Sequence, residues 1–134
     1  MTETHVIVDW ISHFTDLTRI IQESRRLKVI AKIDHPALPE NTTSLGKFYK
    51  YPNLSTKRGT VPFVIYILRD LDPKYDIRET SRGKRRVNTN IFDMKVTLRN
   101  IARHKFIHGT DHIQETKDNL KALGLYDDYY EEIQ

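Results

Sequence analysis

The chain contains no cysteine, which excludes disulfides, thiolate nucleophiles and cysteine-based zinc sites. Long apolar runs are also missing, because the longest one, at 61–68, has the length of a strand and is far too short to span a membrane. The N-terminal sequence MTETHVIVDW has no basic stretch followed by an apolar one, so we expect no signal peptide. These absences predict an intracellular protein, cytoplasmic or nuclear, without a membrane partner.

The 134 residues, of which 38% are hydrophobic and 30% charged, are enough for one domain with its own core. The net charge of +4 is unevenly spread, since positions 111–134 hold seven acidic residues and only two lysines. We therefore predict a basic domain over 1–124, followed by an acidic aromatic tail over 125–134. Such a tail is either solvated or docks on a basic surface of this chain or of a partner, and the second case would make the protein an interaction domain.

Periodicity predicts an α+β fold in which two to three helices pack on a mixed or antiparallel sheet. A long loop over 34–60 separates the second and third strands, and a polar, charged hairpin is predicted over 75–89. The segment 90–103 fits a helix best, although its alternation from Phe92 to Leu98 also fits a strand. The other predicted strands are 5–11, 28–33, 61–68 and 105–108, and the other predicted helices are 15–27 and 111–123.

Two basic segments predict binding of nucleic acid or another polyanion. The loop interleaves cations with aromatic rings and has no acid between Gly46 and Gly59, a pattern typical of single-strand binding. The hairpin concentrates four cations near its tip, where they can enter a groove or follow a phosphate backbone. The candidate contact residues are Lys47, Phe48, Tyr49, Lys50, Tyr51, Lys57 and Arg58 in the loop and Arg82, Lys84, Arg85 and Arg86 in the hairpin.

A different chemistry is indicated by His108-Gly109-Thr110-Asp111, which lies between a short apolar run and a predicted helix. Free amides at the start of that helix can hold a phosphate, Gly109 allows close approach, and His108 can act as nucleophile or proton donor. These residues resemble the active-site loop of nucleoside diphosphate kinases, in which a phosphate-accepting histidine opens an HG(S/T)D turn into a helix. The resemblance covers about a dozen residues around His108, and the catalytic candidates in this turn are His108 and Asp111.

A third possibility is a metal-dependent nuclease that uses Asp76, Asp93 and Lys95. In the PD-(D/E)xK pattern the carboxylates hold Mg²⁺ and the lysine steadies the attacking water, which requires a strand over 91–98. Otherwise we expect no cofactor. The spacing of His104, His108 and His112 would align metal ligands on one helix, but Gly109-Thr110 is expected to break that helix, so no metal site is predicted.

Overall fold

The computed structural model describes residues 1–10, 17–35, 63–103 and 107–133. The elements follow the order that periodicity predicts, β-α-β, then three strands, then α-β-α, and the segment that was ambiguous between helix and strand is a helix. The elements are β1 (Glu3–Asp9), α1 (Thr18–Gln22), β2 (Leu27–His35), β3 (Phe63–Asp70), β4 (Tyr75–Thr80), β5 (Gly83–Asn88), α2 (Thr89–Ala102), β6 (Ile107–Gly109), α3 (Ile113–Ala122) and a 3₁₀ helix (Glu131–Ile133).

The main sheet has the strand order β2-β3-β1-β6, and each neighbouring pair is antiparallel. The fold is therefore α+β, as predicted. Leaving aside the β4-β5 hairpin, the connections follow the split β-α-β-β-α-β pattern of ferredoxin-like domains. The apolar strand β3 is buried along nearly its whole length, which is why it lies between two other strands rather than at an edge.

Helices cover both faces of this sheet. On one face α1 and α2 bury an apolar cluster that includes Ile21, Tyr66, Ile91 and Leu98. On the other face Leu120 of α3 joins a cluster with Trp10 and residues of β1 and β3. Because β6 is the edge strand, it lies where the two helical layers approach each other, and the segment that follows it passes from one layer to the other.

The acidic segment after α3 packs on the second face. Ile133 is 2% exposed, and Leu125, Tyr126 and Tyr129 contact the same apolar cluster. The Thr4 hydroxyl of β1 also donates to the carbonyl of Glu132. Aliphatic and aromatic residues thus attach the tail to the sheet, while Asp127, Asp128 and Glu131 remain exposed. Within the described ranges, no helix combines the length and apolarity that crossing a membrane would require.

Side chains cap two of the helices. Helix α2 is capped by Asn88, whose side-chain oxygen accepts from the Ile91 amide. Helix α3 is capped by His112, whose Nδ1 accepts from the Glu115 amide. In the second case an imidazole nitrogen takes the role that short oxygen-bearing side chains usually have.

Candidate functional site

The predicted contact residues of the loop lie outside the described residues, and so does His104. These loop residues are Lys47, Phe48, Tyr49, Lys50, Tyr51, Lys57 and Arg58. The hairpin is formed as predicted: β4 and β5 pair from Tyr75–Asn88 to Thr80–Gly83. Gly83 takes φ +91° after the turn, a conformation that glycine adopts readily. The four predicted cations of the hairpin are all exposed.

Of the three nuclease candidates, Asp76 and Asp93 lie near each other, whereas Lys95 is directed elsewhere. Asp93 and Asp76 both face Arg78, whose Nε lies 3.3 Å from Asp93 Oδ1 and whose Nη1 lies 4.0 Å from Asp76 Oδ2. The hydrogen bond with Asp93 raises the pKa of Arg78 further above its usual range. Lys95 instead points to Asp111. The strand that the nuclease pattern requires over 91–98 is helix α2, so its acid-x-lysine geometry is absent.

The His108-Gly109-Thr110-Asp111 turn joins a short strand to a helix, as the sequence predicts, although the strand extends to Gly109 and the helix starts later than the predicted position 111. His108 and Gly109 end the edge strand β6, and α3 begins two residues after Asp111. Gly109 permits a close approach of α2, since a Cβ there would lie 3.4 Å from Ile91 Cγ2 and 3.4 Å from Lys95 Cδ. A short edge strand that turns directly into a helix thus presents His108 at the rim of the sheet.

His108 is oriented by α3. Its Nε2 lies 2.7 Å from Asn119 Oδ1, which can only accept, so Nε2 carries the proton in this arrangement. The lone pair of the neutral ring is then on Nδ1. Glu115 Oε1 lies 3.6 Å from the same Nε2, and the His108 side chain is 24% exposed. The ring therefore has a defined tautomer and access to solvent.

Two further charges complete this group. Lys95 Nζ lies 3.8 Å from Asp111 Oδ1, a buried oxygen with no hydrogen-bond partner among the residues the structure describes. Burial lowers the pKa of Lys95 despite the nearby Asp111. Burial, followed by the Asp111 charge, raises the pKa of Glu115. We call these residues the edge cluster: Lys95, His108, Asp111, Glu115 and Asn119.

Arg99 adds a cation one turn beyond Lys95 on α2. Its Nη2 and Nε donate to the Ile107 carbonyl at 2.6 and 3.0 Å, directly before His108 in the chain. Helix α2 therefore places Arg99 against the backbone of β6, at the residue before His108. A cation at that position is suited to neutralising a phosphate that approaches the imidazole.

Thr110 connects the turn to a second polar group. Its Oγ1 accepts from the Val6 amide at 3.1 Å and from the Thr116 hydroxyl at 3.1 Å, so its own proton is available to His5 Nδ1 at 2.8 Å. His5 Nε2 then donates to Glu3 Oε1 at 3.0 Å. His5 and Thr110 are both fully buried. The turn is thus fixed to β1 by a continuous chain of hydrogen bonds.

The same chain reaches the base of the hairpin. Glu3 Oε1 also accepts from the Tyr75 hydroxyl at 2.7 Å and from Asn88 Nδ2 at 3.2 Å. The hydrogen bond from His5, together with those from Tyr75 and Asn88, lowers the pKa of Glu3. The pKa of Tyr75 is raised, mainly by burial and then by its hydrogen bond to Glu3. Asp70 accepts from Asn88 and Asn90 beside them. We call this group the base network: Glu3, His5, Asp70, Tyr75, Asn88 and Asn90.

His108 and Asp111 were predicted as candidates from the sequence, whereas Asn119, Glu115 and Arg99 were not. The sequence held one indication of Asn119: the polar residues Thr116 and Asn119 lie on the packed face of α3. Buried helix faces tolerate polar groups only when these groups are hydrogen-bonded. His112 is engaged as a helix cap. Among the described residues, no three side chains of the His, Asp and Glu types form a metal-binding group.

A scan against protein-family models matches none, and a search of curated proteins finds none with significant similarity. A split β-α-β-β-α-β topology hosts many activities and does not by itself assign one. The functional argument therefore rests on the side chains described above.

Proposed function

We propose that the protein transfers phosphoryl groups through His108. The observation that supports this most is the Nε2–H hydrogen bond to Asn119, which leaves the lone pair on Nδ1 of a partly exposed imidazole. The local resemblance to the active-site loop of nucleoside diphosphate kinases supports a phosphate-accepting role for His108, and the turn that starts at His108 leads into helix α3.

In the proposed step Nδ1 attacks the terminal phosphorus of a phosphoanhydride. The new bond joins Nδ1 to phosphorus, the bond from phosphorus to the bridging oxygen breaks, and the shortened phosphate leaves with that electron pair. The ring keeps its Nε2 proton and gains positive charge, which Asn119 Oδ1 and the Glu115 carboxylate stabilise. Arg99 is placed to offset charge on the phosphate.

The test is labelling of the purified protein with γ-³²P-labelled ATP or GTP. We expect label that is lost in acid and retained in alkali, as a phosphohistidine requires, and no label in His108→Gln. The matched control is His112→Asn, since asparagine is also a good helix N-cap and should keep both fold and label. Label that survives in His108→Gln, or wild-type protein that takes no label from either nucleotide, would refute the proposal.

Asn119 provides a test of orientation. Asn119→Ala removes the acceptor at Nε2 and should slow labelling about five- to ten-fold, the effect of one hydrogen bond. Asn119→Asp keeps an acceptor and should restore most of the rate. Equal labelling rates in wild type and Asn119→Ala would show that this hydrogen bond does not orient the reacting ring.

A further inference from the structure

The β4-β5 hairpin has the dimensions of a recognition element. Its strands of six residues each pair along their full length, and they form a sheet separate from the main one. At about 3.4 Å per residue the ribbon is about 20 Å long. Val87 and Asn88 are buried at its base, whereas the residues toward its tip are exposed or half-buried. The base network holds the ribbon at a fixed angle to the domain through Tyr75 and Asn88.

The charges on this ribbon are available to a ligand. In the described part of the chain, Arg82, Lys84, Arg85 and Arg86 form no ion pair, in contrast to Arg78, which pairs with Asp93. Because no described carboxylate neutralises these exposed cations, they can pair with an external anion. Between Tyr75 and Asn88 the sequence holds five basic residues and two acidic ones, so the element as a whole is positive.

The shape of the element favours a duplex over a single strand. Single-strand binding uses open aromatic faces, but Tyr75, the one aromatic residue of the ribbon, is engaged: its hydroxyl donates to Glu3, and the Arg86 guanidinium lies 5.1 Å from its ring centroid. A two-stranded ribbon fits the major groove of B-form DNA, which is about 12 Å wide, whereas the major groove of A-form RNA is too narrow. Ile77, opposite Arg86 and 51% exposed, supplies an apolar contact for base edges.

We propose that this hairpin binds duplex DNA, with the ribbon in the major groove and its cations against the flanking phosphates. This second site is independent of His108. Its affinity falls with rising salt, because each neutralised phosphate releases counterions.

The test is fluorescence anisotropy with one labelled sequence as duplex DNA, duplex RNA and single-stranded DNA, at about 50 and about 200 mM salt. We expect duplex DNA to bind most tightly. The variant Lys84→Ala/Arg85→Ala/Arg86→Ala should lose at least ten-fold in affinity and about one unit of salt slope per cation removed. The matched control, Arg25→Ala/Lys28→Ala/Lys32→Ala, removes three exposed cations elsewhere and should bind within about two-fold of wild type.

The competing outcomes are separable. Wild-type protein that binds no probe, or that prefers single-stranded DNA or duplex RNA, would overturn the proposal. An equal loss in both triple variants would show general charge attraction and would also overturn it. Thermal unfolding of each variant checks the fold, and labelling at His108 should be unchanged in the hairpin variant, so that failure of DNA binding does not bear on phosphoryl transfer.

Discussion

The base network and the edge cluster are both polar and at least partly buried, yet they differ in how completely their groups are hydrogen-bonded. In the base network both oxygens of Asp70 are used, by Asn88 at 2.8 Å, by Asn90 at 3.0 Å and by the Asp72 amide at 3.1 Å. In the edge cluster Oδ1 of Asp111 is buried with no hydrogen-bond donor in the described structure, and Lys95 stands 3.8 Å away.

This difference indicates that buried polar groups serve two different purposes in this protein. A fully bonded network specifies one arrangement of strands and stabilises it. A buried charge with incomplete bonding lowers stability, and a protein keeps it when the group is needed for something else. We therefore read the base network as structural and the edge cluster as the part of the molecule adapted to a ligand.

The largest expected effect comes from breaking the base network at its centre. Asp70→Ala leaves the buried Asn88 and Asn90 amides without their acceptor, and we expect it to lower the free energy of unfolding by about 3 kcal/mol. Urea denaturation measures this change. A loss below about 1 kcal/mol would show that the network is not the stabilising element we infer.

A smaller effect is expected at His5, the residue that joins the two regions. His5→Phe removes the acceptor for the Thr110 hydroxyl and the main donor to Glu3, so stability should fall by about 2 kcal/mol. Because Thr110 fixes the turn, labelling at His108 should slow as well. A variant that is destabilised but labels at the wild-type rate would indicate that the turn holds its shape without β1.

The smallest effect, with the opposite sign, is expected at Glu115. The pKa of Glu115 is raised in the folded state, so its ionised carboxylate opposes folding at neutral pH. The protonated form is compatible with folding, and this contribution to stability is lost as pH rises through the folded-state pKa. Glu115→Gln should therefore raise the free energy of unfolding at pH 7 by about 0.5–1 kcal/mol. Denaturation at several pH values should show the gain disappearing below about pH 4, where an unperturbed glutamate is protonated. A gain that persists in acid would point to packing rather than charge.

Much of the fold could be predicted because its pattern is local. Three signals act over a few residues: the continuous apolar run of β3, the turn between the two polar arms of the hairpin, and Gly124, which has φ +72° and follows the end of α3. Helix α2 was ambiguous because both of its periodicities include Met94 and Leu98. Its packed face is completed by Ala102, whereas Ile101 is half exposed.

The site was predicted only where its residues are adjacent in sequence. His108 and Asp111 belong to one turn, but Asn119 is eleven residues further on, and Lys95 comes from another helix. These side chains come close to one another because β6 lies at the sheet edge while α2 and α3 lie on opposite faces of the sheet. That arrangement follows from strand order, which a residue pattern does not encode.

The two outer strands of the main sheet also have a consequence for association between copies of the chain. On one side β6 is only three residues long, and Arg99 occupies its Ile107 carbonyl. On the other side β2 carries a register shift between Val29 and Ala31 and exposes Lys28, Lys32 and Asp34. Short, charged or irregular borders resist the addition of a foreign strand. Within the described sheet the very apolar β3 is paired on both sides, so these less regular strands, and not β3, form its borders.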